Sequence, residues 1–243
     1  TQADKWSKMG ITSVSQTITA SFLPALSQVQ DDPGRFSRVS SKMNRFTAYI
    51  LFPSMGFLAV MAPPIFNCLF GTKWDSSIVL FQLLLLRGIF TVQTALYNNY
   101  LIAMARTRAV VAMEVLRDSA ALLFLVATIP VITMTWGGDM MFGIKILLCG
   151  QLAASVITWC VMTAVVARVT GRHVTDLVTD NLPYLIETLV IGAVMWAEGL
   201  IVDNCWGLLA LQAFTGVGMY VGFNAALGSA VQKDVLKFIF KKQ

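Results

Sequence analysis

Seven apolar runs, each about 20 residues or longer, dominate this chain and leave it few places to fold except a lipid bilayer. They are Met9–Val29, Phe46–Phe70, Ser76–Met104, Ala109–Thr133, Met140–Ala167, Leu182–Val202 and Trp206–Ala230. No ten-residue alternation of the kind a membrane barrel needs is present, and a lone strand cannot satisfy its backbone in lipid. The predicted fold is therefore all-α, a polytopic transmembrane helical bundle. Composition agrees. Of 243 residues, 56% are apolar and 13% charged, with a mean hydropathy of +0.69. A soluble domain carries about 25% charge. A soluble enzyme, a disordered tail and a secreted disulfide scaffold are excluded on these grounds. The first run is the most polar, with Thr12, Ser13, Ser15, Gln16, Thr17, Thr19 and Ser21, and it is expected to line a cavity or pack inside the bundle.

The cations set the orientation. Thirteen of the 18 Lys and Arg fall on one side: Arg35, Arg38, Lys42 and Arg45; Arg106, Arg108 and Arg117; Arg168 and Arg172; and Lys233, Lys237, Lys241 and Lys242 in the tail. Lys5, Lys8 and Lys73 fall on the other. By the positive-inside rule the loops at 30–45, 105–117 and 168–181 and the C-terminus are expected to be cytoplasmic. The positive charge is then a topology signal, and nucleic acid is not an expected partner. Membrane lipids are, the tail beyond Val231 carrying Leu236, Phe238, Ile239 and Phe240 among its lysines.

Two cations lie within spans. Arg87 sits near the middle of its run, where placement against lipid costs about 2.5–3.5 kcal/mol. Arg87, Thr91, Thr94 and Asn98 are spaced i, i+4, i+7, i+11 and share one helical face. That face reads as the wall of a hydrated cavity in which a guanidinium offers paired donors to a phosphate or carboxylate. A structural pairing with an acidic group on another helix is the alternative. Lys145 lies closer to the outer end of its span and is a second candidate, although it can also snorkel to the interface. Gln16 is a candidate hydrogen-bonding residue; it and Gln151 are intramembrane amides of the kind that glue helices together.

Other features read as structural. Glu187 and Glu198 are expected at the interface, Asp203-Asn204 in an outer turn, and Asp31-Asp32-Pro33-Gly34 in a tight cytoplasmic turn. Pro53 and Pro63-Pro64 are expected to break the second span. Cys68, Cys149, Cys160 and Cys205 form no metal-binding spacing. Cys149 and Cys160 would stand about 16 Å apart along one helix, too far to bridge. Cys68 and Cys205 lie near span ends, and their pairing is not expected. His173 stands alone beside Arg172, no phosphate loop occurs, and no catalytic constellation or cofactor site is legible, so an enzyme is not expected.

The segments Phe22-Leu23-Pro24-Ala25-Leu26-Ser27, Gln30-Asp31-Asp32-Pro33, Phe52-Pro53, Ala62-Pro63-Pro64, Phe70-Gly71-Thr72-Lys73-Trp74 and Leu80-Phe81-Gln82, then Asn98 to Glu114, together resemble the bacterial Wzx-type polysaccharide flippases. These belong to the MOP superfamily, which includes the MATE drug exporters. Where that family usually has Gly before the Arg at position 106, this chain has Ala105. The resemblance covers residues 1–170, a C-terminal lobe of about five helices, with residues 171–243 adding a cytoplasmic loop, two further helices and the basic tail. Such proteins have two pseudo-symmetric lobes around a central cavity, and the opening Thr1-Gln2-Ala3-Asp4-Lys5 resembles a point midway along them. The chain is thus expected to be the C-terminal half, with the N-terminal lobe as a partner.

The resemblance implies transport of oligosaccharide linked to undecaprenyl diphosphate across the bacterial cytoplasmic (inner) membrane for surface polysaccharide, such as lipopolysaccharide. Alternating access would proceed by rocking of the lobes. It also implies polymerase machinery as a neighbour and coupling to a proton or sodium gradient, without identifying the ion. The competing functions are a MATE-like small-molecule exporter, against which a cationic cavity argues and which acidic residues at mid-depth would have favoured, and a membrane-bound polysaccharide transferase, against which the missing catalytic set argues.

Overall fold

The computed structural model describes residues 32–135 and 140–233, with Leu26, Gln28 and Val29 before them. The first apolar run, apart from its last residues, lies outside the described residues, as do Gln16 and the tail beyond residue 233. Every regular element among the described residues is a helix. In order they are α1 (Pro33–Phe70), a 3-10 turn (Thr72–Trp74), α2 (Asp75–Ala103), α3 (Thr107–Thr135), α4 (Met140–Thr170), the short α5 (Val174–Thr179), α6 (Leu182–Glu198) and α7 (Cys205–Ala226). Five helical segments are long and apolar enough to cross a membrane: Gly34–Phe70, Asp75–Ala103, Met141–Thr170, Val174–Glu198 and Cys205–Ala226. The chain is a multi-pass helical membrane protein. The long helix outside this set is α3, whose first half carries Glu114, Arg117 and Asp118.

Three readings of the sequence are corrected in α1. The stretch expected as a cytoplasmic turn and loop is already helical from Pro33. The Asp32 side chain accepts the Arg35 backbone N–H at 3.0 Å, and Pro33 occupies the first helical position, where its missing N–H costs nothing. Asp-Pro here is a helix start. Second, Pro53, Pro63 and Pro64 do not break the helix, which runs unbroken for 38 residues. A proline at position i frees the carbonyl at i−4. The Tyr49 carbonyl freed by Pro53 accepts the Tyr220 hydroxyl at 2.8 Å. The Ala59 carbonyl freed by Pro63 accepts the Gln82 side-chain N–H at 2.8 Å. Third, Cys68 and Cys205 are joined in a disulfide, Cα to Cα 5.9 Å, across 137 residues of sequence. It ties the last turn of α1 to the first residue of α7.

Helix α1 is the centre of the described bundle. One face packs on α2 and, with α4 and α5, encloses a core containing Phe36, Leu51, Met55, Phe81, Leu96, Tyr100 and Met162. The other face meets α6 and α7 around Tyr49, Phe57, Tyr184, Ile191, Met195 and Tyr220. The rings of Tyr49 and Tyr220 lie 5.2 Å apart and those of Tyr49 and Tyr184 5.8 Å. Small residues allow the close approach. A Cβ on Gly56 would collide with the Thr188 methyl, and one on Gly216 would meet Met195 Sδ at 3.0 Å and Phe57 at 3.2 Å.

The Arg-rich end is fastened by Asp180, whose side chain is 2% exposed. It accepts Ser41 Oγ at 2.8 Å, Arg45 Nε at 2.7 Å and Arg172 Nη2 at 2.8 Å. One carboxylate therefore links α1, the end of α4 and the α5–α6 turn. Helix α3 stands apart from this arrangement. It packs along α4 and touches α2 only lightly, leaving Val111, Val115, Leu122, Leu123 and Val126 exposed.

Candidate functional site

The light contact between α2 and α3 opens a cavity of about 540 Å³ between α2, α3 and α4. Each helix contributes one polar face. From α2 come Arg87, Thr91, Thr94 and Asn98; from α3 come Glu114, Arg117, Asp118 and Ala121; from α4 come Gln151, Ala154, Ser155 and Thr158. The last two sets repeat at i, i+3, i+4, i+7, the spacing of a single helical face. Four of the six residues proposed from sequence thus line one cavity. Lys145 does not line it. It is half-buried on α4, about 9 Å from Gln151 along the helix. Gln16 lies outside the described residues.

Two polar clusters divide the cavity. At the middle of α2, Arg87 Nη1 donates to Gln151 Oε1 at 2.7 Å. Gln151, read from sequence as helix glue, therefore both joins α4 to α2 and faces the cavity. Nearer the Arg-rich end, Asn98 Nδ2 donates to Glu114 at 2.8 Å, and Arg117 pairs with Glu114 and with Asp118 at 3.1 Å. The Asn98 Oδ1 is buried without a hydrogen-bond partner. Between the clusters three of the four lining hydroxyls spend their protons on their own helices. Thr91 donates to the Arg87 carbonyl at 3.0 Å, Ser155 to Gln151 at 3.0 Å and Thr158 to Ala154 at 2.8 Å. They turn oxygen lone pairs toward the space.

The acidic residues of this site and Ser155 and Thr158 were missed in the sequence. In the sequence Arg117 reads as a topology-setting cation, and that signal masks the helical face it shares with Glu114 and Asp118. The α4 stripe is built of short hydroxyl and alanine side chains, which scarcely disturb an apolar run. The helical spacing of both sets is nonetheless present in the sequence.

A second crevice of about 150 Å³ lies on the other side of Phe90, walled by Phe52, Leu86, Ile89, Trp159 and Leu185. Phe90 lines both spaces and stands edge-on to Trp159 at 5.7 Å. Among the described residues no group of three or more His, Cys, Asp or Glu is placed to hold a metal ion.

A family model described as "Polysaccharide biosynthesis protein" matches residues 1–79. An "Uncharacterized membrane protein in cps region" of Klebsiella pneumoniae is 23% identical over 211 residues, covering 86% of this chain and 41% of that protein. The chain therefore spans less than half the length of that relative. No solved structure matches. The likenesses support a membrane protein with a role in polysaccharide biosynthesis. The family match ends before Arg87, ahead of every residue that lines the cavity.

Proposed function

We propose that this protein moves undecaprenyl-diphosphate-linked oligosaccharide across a bacterial cytoplasmic membrane, from the inner to the outer leaflet, as a Wzx-type flippase. The observation that carries the reading is the polar cavity among otherwise apolar helices, with Arg87 at its mid-helix end. A polar face on three neighbouring helices is costly in lipid unless it meets water or a polar solute. Arg87, with Gln151 beside it, takes the diphosphate. Thr91, Thr94, Asn98, Ser155 and Thr158 meet sugar hydroxyls or water, and the polyprenyl chain stays in the bilayer. A second lobe, not part of this sequence, closes the remaining side and rocks against this one to alternate access. The protein forms no covalent intermediate with its cargo. The drive is a proton or sodium gradient.

Two independent features support this sidedness. The end bearing Arg35, Arg38, Arg45 and Arg172 faces the cytoplasm by the positive-inside rule. The opposite end bears the Cys68–Cys205 disulfide, a bond that persists in an oxidising compartment. Helix α7 runs from the disulfide end toward the Arg-rich end, which supports a C-terminus on the cytoplasmic side.

The test is Arg87→Ala and Arg87→Lys in the intact protein, scored by surface polysaccharide at matched expression. Arg87→Ala is expected to abolish export and Arg87→Lys to leave a fraction, since an ammonium keeps the charge and loses the paired donors. Normal export in both sinks the reading. A MATE-like exporter of cations is the second reading, favoured by Glu114 and Asp118 in the cavity wall. The Arg87 guanidinium in the same wall repels cationic cargo and weighs against it. Accumulation of a cationic dye in cells lacking the protein, with unaltered polysaccharide, would reverse the choice.

A further inference from the structure

We infer that the part of the cavity nearer the Arg-rich end is a sugar subsite selective for neutral or amine-bearing units and closed to uronic acids. The inference rests on the flippase reading for the identity of the cargo and adds which sugars the site admits. Its basis is the balance of donors and acceptors on the wall.

Thr91, Ser155 and Thr158 have given their protons to backbone carbonyls and present acceptors. Asn98 Oδ1 is a buried acceptor with no partner, while its amide N–H is held by Glu114. Glu114 and Asp118 are acceptors only, and the single guanidinium between them is engaged by both. A wall of this kind is satisfied by a ligand rich in donors. Sugar hydroxyls supply them, and an ammonium on an amino sugar supplies more. A sugar carboxylate supplies none and faces two carboxylates against one guanidinium, an arrangement that discriminates by repulsion. At the other end the Arg87 guanidinium stands beside Gln151 Oε1, and its positive charge suits an anion. The cavity is thus electrically graded along α2, with donors at mid-helix and acceptors toward the Arg-rich end. A diphosphate followed by uncharged sugars matches that grading in one orientation.

The test uses the intact protein in lipid nanodiscs and two probes. Both are undecaprenyl-diphosphate-linked trisaccharides, one of neutral hexoses and one with a single glucuronic acid. The neutral probe is expected to bind about tenfold tighter or more, because like charges placed together are strongly disfavoured. The double variant Glu114→Gln/Asp118→Asn is expected to abolish the preference. Asp118→Asn alone, at a side chain 69% exposed and safe for folding, is expected to reduce it. Equal binding of the probes, tighter binding of the acidic probe, binding of neither, or an unchanged ratio in folded variants overturns the inference. Liposome transport separates the two proposals. Tight binding of the neutral probe without translocation removes the flippase and leaves the subsite; translocation of both probes at one rate does the reverse.

Discussion

The two halves of the described bundle treat their polar groups in opposite ways. Around α1, α6 and α7, two carbonyls that prolines free are capped by side chains from elsewhere in the fold. The Tyr49 carbonyl is capped by Tyr220, the Ala59 carbonyl by Gln82, and the helix ends are tied by Cys68–Cys205. Around α2, α3 and α4, the polar atoms are lined up along three helix faces and left bordering a cavity. The first pattern belongs to a body that holds its shape. The second belongs to a surface made to receive something. In lipid, where apolar surface does not favour one helix neighbour over another, this placement of polar groups separates scaffold from site.

That contrast predicts that substitutions in the first body act on stability and those in the cavity act on transport. The largest effect is expected at the junction, with Asp180→Ala. Arg172, 8% exposed, would lose its carboxylate, and breaking such a pair costs about 3–5 kcal/mol. The expected result is loss of folded protein in a detergent melting assay; a melting curve like that of the parent would show that Asp180 does not fasten the bundle. Next is Cys68→Ser, expected to cost about 2–4 kcal/mol, and thiol alkylation followed by mass spectrometry should find Cys149 and Cys160 modified in the parent while Cys68 and Cys205 are protected. Tyr220→Phe should cost about 1–3 kcal/mol by leaving the Tyr49 carbonyl without a donor. The same substitution should be nearly silent in a background where Pro53 is replaced by Ala, because the helix then supplies the missing N–H. A full cost in that background would refute the capping account. The smallest effect on melting, within about 0.5 kcal/mol, is expected for Ser155→Ala, with export nevertheless reduced. A loss of stability without loss of export would invert the comparison.

The α2 face was legible in sequence because its four polar side chains differ sharply from the surrounding apolar ones and recur at helical spacing. The α3 face carries an equally clear pattern, but its one cation, Arg117, also serves to set topology, and one signal hides the other. The α4 face was faint because Ala154, Ser155 and Thr158 are small. Asp32-Pro33 shows a different ambiguity. The same residues start a helix or make a turn, and the choice depends on whether the following basic stretch finds a core to pack on. It does, through Phe36, Met43 and Leu51.

The sequence by itself determined that the chain is helical and lies in a membrane, which end gathers the arginines, and that one face of α2 is too polar for lipid. These follow from composition and period, which are local properties. The tertiary structure decided that three polar faces converge, that prolines in α1 do not interrupt it, and that two cysteines 137 residues apart meet. Each of these depends on how a helix is rotated about its axis and which neighbour it has. A helical period fixes the face and says nothing of the neighbour. In this chain the neighbour is set by glycines that admit close packing and by side chains that reach carbonyls a proline has freed.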